Sequence, residues 1–410
     1  MDQVDISSVV VLLVALAAAA VLLHPRVLAS PVWRATITPL ASIIGSGFLV
    51  LAPILVRHFG HGAALVMALL CLAAYAIGGA IRWNIRALDT ETGVGALRSH
   101  ELLLERFSSL ALLFAYVVSV CYYLNLFGAF ATSLTPYADP TAGRLVTSCI
   151  LVFVGLVGWT RGFHGLENME VLSVGLKLAV IVALLVGMSG YTFRVAEAGL
   201  PAGHHESFGV NAVRMAFGLL ITVQGFETSR YLASSYDART RVTTMRYAQL
   251  LSTAIYIAYI GMASLAFAPD DIETSETAII HMSGHVALIM PFLLVLAALA
   301  SQFSAAVADT GGYGGLAEEV SGGRLRTRMA YALLVPACIA LTWVANIYEI
   351  ISYASRAFAF YYGSQCAFAA IVSRRVAGWT PATVGFTLLT VLALAVGLLG
   401  IPVETANGGG

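Results

Sequence analysis

Long apolar runs, separated by short polar segments, dominate the pattern of this chain. A helix of about 20 mostly apolar residues crosses a bilayer, and by that rule the sequence contains twelve candidate spans. They lie at 6–23, 36–57, 61–81, 107–134, 145–160, 168–190, 210–234, 247–268, 285–308, 328–345, 348–372 and 381–400. The pattern predicts an all-α polytopic membrane protein, with residues 1–410 forming a single transmembrane domain.

Composition and charge agree with this prediction. Hydrophobic residues make up 59% of the chain and charged residues 11%, whereas soluble domains average roughly 45–50% apolar and about 25% charged residues. If the N-terminus lies outside, sixteen arginines fall in cytoplasmic loops and four in outer loops, as the positive-inside rule requires. The acidic N-terminus is untypical of a cleaved signal peptide. We expect an integral, multi-pass protein of the bacterial inner membrane.

Glycines interrupt two of the apolar spans near their middle. Lipid cannot satisfy loose main-chain groups, so such a break is tolerated only where protein buries it or where it lines a cavity. A pair of interrupted spans in the two halves of a chain indicates a transporter binding site. The first break comprises Ile44, Gly45, Ser46 and Gly47, and the second comprises Gln224, Gly225 and Phe226.

The two breaks divide the chain into two halves of five spans each, 36–190 and 210–372. An odd number of spans places the halves in opposite orientations, which is the layout of an inverted repeat with a site at the midplane. The span 6–23 precedes this 5+5 core, and the span 381–400 follows it. The extra N-terminal helix is a candidate surface for a homodimer or another partner.

Three short motifs resemble the amino acid–polyamine–organocation (APC) superfamily of transporters. The segment 44–48 (Ile-Gly-Ser-Gly-Phe) is similar to the Gly-x-Gly break in the first core helix of that family. The segment 225–227 (Gly-Phe-Glu) resembles the sixth core helix, and 175–178 (Gly-Leu-Lys-Leu) resembles the lysine-bearing fifth helix of sodium-independent members. The resemblance covers residues 36–372 and implies a broken first and a broken sixth core helix.

The main chain at the breaks suits a zwitterion. A half-helix that begins near Gly47 directs N–H groups and a positive dipole end toward an anion such as a carboxylate. Carbonyl oxygens around the second break can accept hydrogen bonds from an ammonium group, and Phe226 is a candidate lid. The structural alternative is tight helix packing, because small residues also mark helix contacts in membranes.

Lys177 is the only lysine of the chain and lies deep in the span 168–190. A cation at that depth costs about 2.5–3.5 kcal/mol on insertion scales. The resemblance implies that this lysine replaces a sodium ion and joins the fifth core helix to the first and eighth. Ser301 and Ser304 are the expected hydrogen-bond acceptors, and we predict that Lys177 couples transport to protons or to conformational change. The alternative is a lysine that snorkels to the interface.

Other polar and aromatic residues receive less specific predictions. Glu227 either pairs with Arg230 as a cytoplasmic gate or relays protons, and Asp309 is assigned to a helix end or a gate. His164, Glu167 and Glu170 are interpreted as a solvated cytoplasmic end. The resemblance places the third and tenth core helices along the substrate cavity, so their aromatic residues are candidate walls. These residues are Tyr122, Tyr123, Tyr353, Phe358, Phe360, Tyr361 and Tyr362.

These patterns predict a secondary active transporter of a small zwitterion, an amino acid or a related amine. No acidic residue lies in the first break, which favours a zwitterion over a purely cationic polyamine. The alternatives are an ion carrier or channel on the same fold, and a non-transporting receptor or scaffold. The sequence shows no motif for an enzyme, a cofactor, a metal site or nucleic-acid binding. The expected partners are a small-molecule substrate and the lipid bilayer.

Overall fold

The computed structural model describes residues 6–45, 47–89, 97–133, 135, 139–201, 209–233, 235–272, 278–345 and 347–401. Within these ranges the chain forms helices and connecting turns, and no strand is present. The predicted all-α fold is therefore confirmed.

The helices of the N-terminal half begin after well-defined caps. Ser30 caps α3 and Asp139 caps α7, and a proline occupies the first turn of both helices, where its missing N–H costs nothing. The helices of this half are α1 (Ile6–Leu22), α2 (Pro25–Leu28), α3 (Pro31–Ile43), α4 (Gly47–Phe59), α5 (Ala63–Leu88), α6 (Ser99–Ser133) and α7 (Pro140–Ala198).

The element α7 contains two predicted spans, 145–160 and 168–190, in 59 residues. A single non-helical residue, Gly162 (φ 65°, ψ −158°), separates them. A positive φ of this size favours glycine. The connection between the fourth and fifth core spans is therefore a one-residue kink where the spacing of the spans predicts a loop.

The C-terminal half contains the second interrupted helix. Two short 3₁₀ helices, Leu220–Val223 and Phe226–Tyr231, follow its first part, α8. The α-helices of this half are α8 (Val210–Leu219), α9 (Ala238–Ala266), α10 (Ala278–Gly284), α11 (Met290–Val320), α12 (Thr327–Val344), α13 (Ile347–Ala377) and α14 (Pro381–Leu399).

Each of the twelve predicted spans coincides with helical segments of the structure. Seven helices among the described residues are long and apolar enough to cross a membrane by length and composition. One of them is α7, which covers two predicted spans, and another joins α4 to α5. The remaining spans correspond to the short helix α1, to the interrupted helices and to the more polar α13.

The interrupted helices lie in the core, whereas α1 and α14 lie at its edge. The helices α7, α9 and α11 pack around α3, the helices α5, α9 and α10 pack on α4, and α14 packs along α13. The extra N-terminal helix packs on α7, where Leu23 lies over Gly175 and Val11 over Gly187. Its outer face, including Leu13 and Leu16, is exposed. A role of this face in dimer or partner contact stays a prediction.

Candidate functional site

The first break separates α3 from α4 in the centre of the molecule. The helix α3 ends at Ile43, and Ile44 has left the helical region with φ −86° and ψ 60°. The helix α4 begins at Gly47. Ile44 and Ser42 are buried, so the break lies inside the protein, as membrane depth demands. Ser46 lies outside the described residues.

The second break replaces the helix with tighter and irregular backbone. After the 3₁₀ turn Leu220–Val223, Gln224 has no regular structure, and Gly225 adopts φ 112°. A residue with a side chain is strained at that φ, so glycine is required there. The chain then continues as the 3₁₀ helix Phe226–Tyr231, whose six residues are all buried.

The two breaks touch each other through their glycines. A Cβ atom on Gly225 would lie 2.4 Å from Ser42 Oγ, and a Cβ atom on Gly47 would lie 2.6 Å from Thr222 Cβ. The hydroxyl of Tyr256 on α9 bridges the same contact, at 2.9 Å from the Ile43 carbonyl and 3.3 Å from the Thr222 carbonyl. Two unwound segments and their loose main-chain groups therefore form one site.

Lys177 joins three helices at the first break. Its Nζ donates to the carbonyl oxygens of Ala41 at 3.0 Å and Ile44 at 2.6 Å on the α3 side, and to Ser304 Oγ at 2.9 Å on α11. The side chain is completely buried, so it does not snorkel. The predicted contact with Ser304 is present. Ser301 does not accept from the lysine: its main-chain carbonyl accepts from Ser304 Oγ at 3.1 Å.

The expected pairing of Glu227 with Arg230 is wrong. Glu227 Oε2 accepts from the Gly225 N–H at 3.0 Å and from the Tyr362 hydroxyl at 2.6 Å. Arg230 points away from Glu227 and binds Glu105 on α6 and Gln365 on α13. Glu105 and Gln365 accept the hydrogen bonds of the Arg230 guanidinium group. The Glu227 side chain bends back toward the break and accepts from Gly225.

Aromatic rings surround the second break. The ring of Phe226 stacks on Tyr362 with centroids 5.2 Å apart, and the Tyr362 hydroxyl also lies 3.3 Å from Gln224 Oε1. On α6 the ring beside Gly45 belongs to Tyr123, whose side chain also hydrogen-bonds Gln224. The neighbouring Tyr122 is only partly buried. The side chain of Tyr353 lies outside the described part of the structure.

Two carboxylates near the breaks have surroundings that differ from those predicted from the sequence. Asp309 lies in the middle of α11, not at a helix end, and accepts from Ser42 Oγ at 2.8 Å and from Ser119 on α6. Glu170 on α7 accepts from Thr38 Oγ1 at 2.7 Å. Both side chains are completely buried. The assignment of Glu170 to a solvated end is therefore wrong.

Glu167 is also buried, contrary to that assignment, and takes part in a polar layer on the side that the arginine distribution predicts to be cytoplasmic. It pairs with Arg34 at 2.5 Å and accepts from the Tyr236 hydroxyl. Burial is the main cause that raises the pKa of Tyr236, and the hydrogen bond to Glu167 adds to it. Arg241 donates to the Arg230 carbonyl at 2.6 Å. These contacts join α3, α7 and α9 below the breaks.

The sequence of the chain matches a known protein family. A family model described as "APC superfamily transporter" matches residues 25–400. The match leaves out α1 and includes α14. The chain is also 41% identical over 376 residues to an uncharacterized protein of Aquifex aeolicus (strain VF5), with 91% of each chain covered. The crossed breaks, the buried lysine and the extent of the family match together show that this multi-pass membrane protein is a transporter, not an enzyme, and belongs to the APC superfamily.

Proposed function

We propose that this protein is a sodium-independent secondary active transporter of a small zwitterionic solute, an amino acid or a related amine, in the bacterial inner membrane. It works by alternating access, in symport with protons or by exchange. The observation that carries the proposal is the contact between the two broken helices, which brings a half-helix N-terminus and the carbonyl end of another half-helix into one buried site.

The two half-helix ends offer opposite charges to the solute. The first four N–H groups of any helix lack an acceptor within it, so α4 presents donors and a positive dipole end to a carboxylate beside Gly45, Ser46 and Gly47. The carbonyl oxygens around Gln224, Gly225 and Phe226 accept hydrogen bonds from the amine. The gap between them selects a solute that carries both groups a short distance apart.

Lys177 supports independence from sodium. Its ammonium group occupies a set of carbonyl and hydroxyl oxygens, which is the kind of ligand set that a small hard cation prefers. The lysine holds α7 to α3 and α11 while it is protonated. Loss of its proton weakens those contacts and frees the helices to move, which couples protons to the conformational cycle.

The closed cytoplasmic side supports alternating access. Below the breaks, Arg34 pairs with Glu167 and Arg230 pairs with Glu105. The Arg230–Glu105 pair and the hydrogen bond from the Tyr236 hydroxyl to Glu167 link the two halves of the chain, so opening of the cytoplasmic side must separate them. The stacked rings of Phe226 and Tyr362 cover the second break from one side.

The test is uptake of a radiolabelled amino acid mixture into proteoliposomes without sodium, with and without an inward proton gradient. We expect gradient-stimulated accumulation in the wild type. Lys177→Ala should reduce uptake by about tenfold or more and remove its pH dependence, because several charge-assisted hydrogen bonds are lost. The matched control is Ser252→Ala, which removes a buried hydroxyl that bonds within α9.

Wild-type uptake and pH dependence in the Lys177→Ala variant would contradict the coupling role. Flux of inorganic cations without amino acid uptake would contradict the choice of solute and favour an ion carrier. Uptake that appears only with an amino acid loaded inside the vesicles would identify exchange.

A further inference from the structure

Two carboxylates flank the contact between the breaks, and both are completely buried. Asp309 is held by hydroxyl groups alone, from Ser42 on α3 and Ser119 on α6. Glu227 uses one oxygen, Oε2, for its bonds to the Gly225 N–H and the Tyr362 hydroxyl. Its second oxygen, Oε1, has no hydrogen-bond partner among the residues that the structure describes. A buried acceptor without a partner is costly, so a ligand that supplies a donor to this oxygen would be favoured.

A short series of contacts connects the two acids. The Gly225 N–H binds Glu227 at 3.0 Å, the missing Cβ of Gly225 would lie 2.4 Å from Ser42 Oγ, and that hydroxyl binds Asp309 at 2.8 Å. The two carboxyl groups therefore lie on opposite sides of one glycine–serine contact.

Tyr116 on α6 adds a second unsatisfied group. Its side chain is completely buried, and its hydroxyl has no hydrogen-bond partner among the described residues. The ring lies against Gly312, one turn of α11 after Asp309, where a Cβ would be 2.9 Å from the hydroxyl oxygen. Three helical elements thus direct polar groups toward one region.

No basic side chain neutralises this pair. Among the residues that the structure describes, no arginine, lysine or histidine lies within ion-pair distance of Asp309 or Glu227. The three donors of Lys177 are already used by Ala41, Ile44 and Ser304. A cationic group that reached these two acids would therefore meet acceptors that no basic side chain already occupies.

We propose that Asp309 and Glu227 form a binding site for one monovalent cationic group, and that its occupant is the ammonium group of the transported solute. This inference rests on the proposed function and refines it. The solute carboxylate faces the N-terminus of α4, and the ammonium group donates to the unpartnered Oε1 of Glu227, with Asp309 on the other side of the Gly225–Ser42 contact as the second acidic group. The negative charge that the first break lacks in sequence is supplied by α11 and by the second break, so an amine without a carboxylate is also a ligand.

The test measures ligand-induced thermal stabilisation of the purified protein in detergent. The probes are the amino acid that stabilises the wild type most in a screen, its decarboxylated amine, its deaminated acid, and sodium or potassium chloride. The variants are Asp309→Asn and Glu227→Gln, which keep the shape of each side chain. The matched controls are Asp271→Asn and Glu197→Gln, which change exposed acids far along the sequence from the breaks.

We expect each site variant to lower the affinity for the amino acid and for the amine by about 10- to 100-fold, because a charge-assisted hydrogen bond is lost. The weaker affinity for the deaminated acid should stay the same in all proteins. Both variants should unfold at or above the wild-type temperature without ligand, because each keeps the shape of the side chain and removes an ionisable group from a buried site.

Several outcomes would overturn the inference. Equal affinity of wild type and variants for the amine, with uptake intact, would refute the ammonium site and leave the proposed function standing. Stabilisation by sodium or potassium that the variants lose, with no effect of amines, would identify an inorganic cation as the occupant. Stabilisation by acid that the variants lose, with amine affinity unchanged, would show a proton-binding pair instead. If amines stabilise the wild type alone and no amino acid is transported, the site stands and the proposed function fails.

Discussion

Buried carboxylates occur in two regions of this molecule, and the two regions neutralise them differently. On the cytoplasmic side each buried acid has an arginine: Glu105 pairs with Arg230, and Glu101 pairs with Arg375 at 2.8 Å. At the breaks, Asp309 and Glu227 have hydroxyl and N–H donors but no ion-pair partner among the described residues.

The difference in neutralisation indicates two roles for the buried acids of this protein. A buried ion pair holds two helices in one arrangement, and removal of one partner leaves a charge that is costly to bury. A carboxylate that is held by neutral donors remains able to accept a cation from outside. Under the proposed function, the layer of ion pairs serves closure, and the centre serves binding and release. The predictions below test this division.

The largest effect is expected at the cytoplasmic layer. Arg230→Met leaves Glu105 buried without its cation, and Gln365 also loses a donor. The free energy of unfolding should fall by about 3–5 kcal/mol. Thermal unfolding in detergent measures the loss, and the double variant with Glu105→Gln should recover part of it. If the Arg230→Met protein were as stable as the wild type, the two regions would not differ in their dependence on ion pairs.

The next largest effect is expected at the contact between the two breaks, where the main chains approach each other closely. Gly225→Ala forces a side chain into a left-handed conformation, at about 1–3 kcal/mol, and places its Cβ 2.6 Å from the Ser42 main-chain carbon. We expect loss of uptake together with lower stability. The control is Gly261→Ala on α9, where no atom lies within 4 Å of the new Cβ. Normal uptake by Gly225→Ala would show that the breaks do not need to touch.

A third prediction compares the stability of two variants. Glu170→Gln neutralises a buried acid near the breaks, and Glu105→Gln neutralises one that forms an ion pair. Glu170→Gln retains the bond from Thr38 and affects an oxygen, Oε1, that has no partner. Its stability should stay within about 1 kcal/mol of the wild type, whereas Glu105→Gln should cost more because Arg230 loses its counter-charge. Denaturation of both variants under the same conditions measures the two losses of stability. An equal loss in both would mean that Glu170 is bound by charge as strongly as Glu105, with Lys177 as its partner.

The smallest effect concerns an exposed acid that belongs to neither region. Asp237 caps α9 by accepting from the Thr240 N–H at 2.9 Å, and its hydrogen bonds to Thr240 hold the pKa of this carboxyl below its ordinary value. Its stabilising effect is therefore complete above the ordinary pKa of aspartate and disappears as the pH falls through the lowered value. Asp237→Ala should lower the unfolding temperature slightly at neutral pH and not at strongly acidic pH. Asp271→Ala, at an exposed position, is the control.

The sequence was sufficient for the features that depend on one stretch of chain. Apolar runs predicted the spans, and glycines within them predicted both breaks. Lys177 was predicted to be buried because it lies about nine residues, or roughly 14 Å, into an apolar helix. Contacts within such a stretch follow from composition and helical geometry alone.

The features that depend on neighbouring helices could not be predicted. Arg230 is three residues from Glu227, and nothing in the local pattern indicates that α6 offers Glu105 in its place. Tyr122 and Tyr123 differ by about 100° around α6, so the choice between them required the rotation of the helix. Asp309 and Glu170 appear polar in sequence, and only packing shows that α3 supplies their hydroxyl donors.

The bridge made by Tyr256 has a consequence for the transport cycle. A phenol has one proton, yet this hydroxyl lies within reach of two carbonyls, one from each broken helix. If the transport cycle separates the two breaks, the hydroxyl can follow only one of these carbonyl oxygens, and the other must accept a hydrogen bond from a different donor.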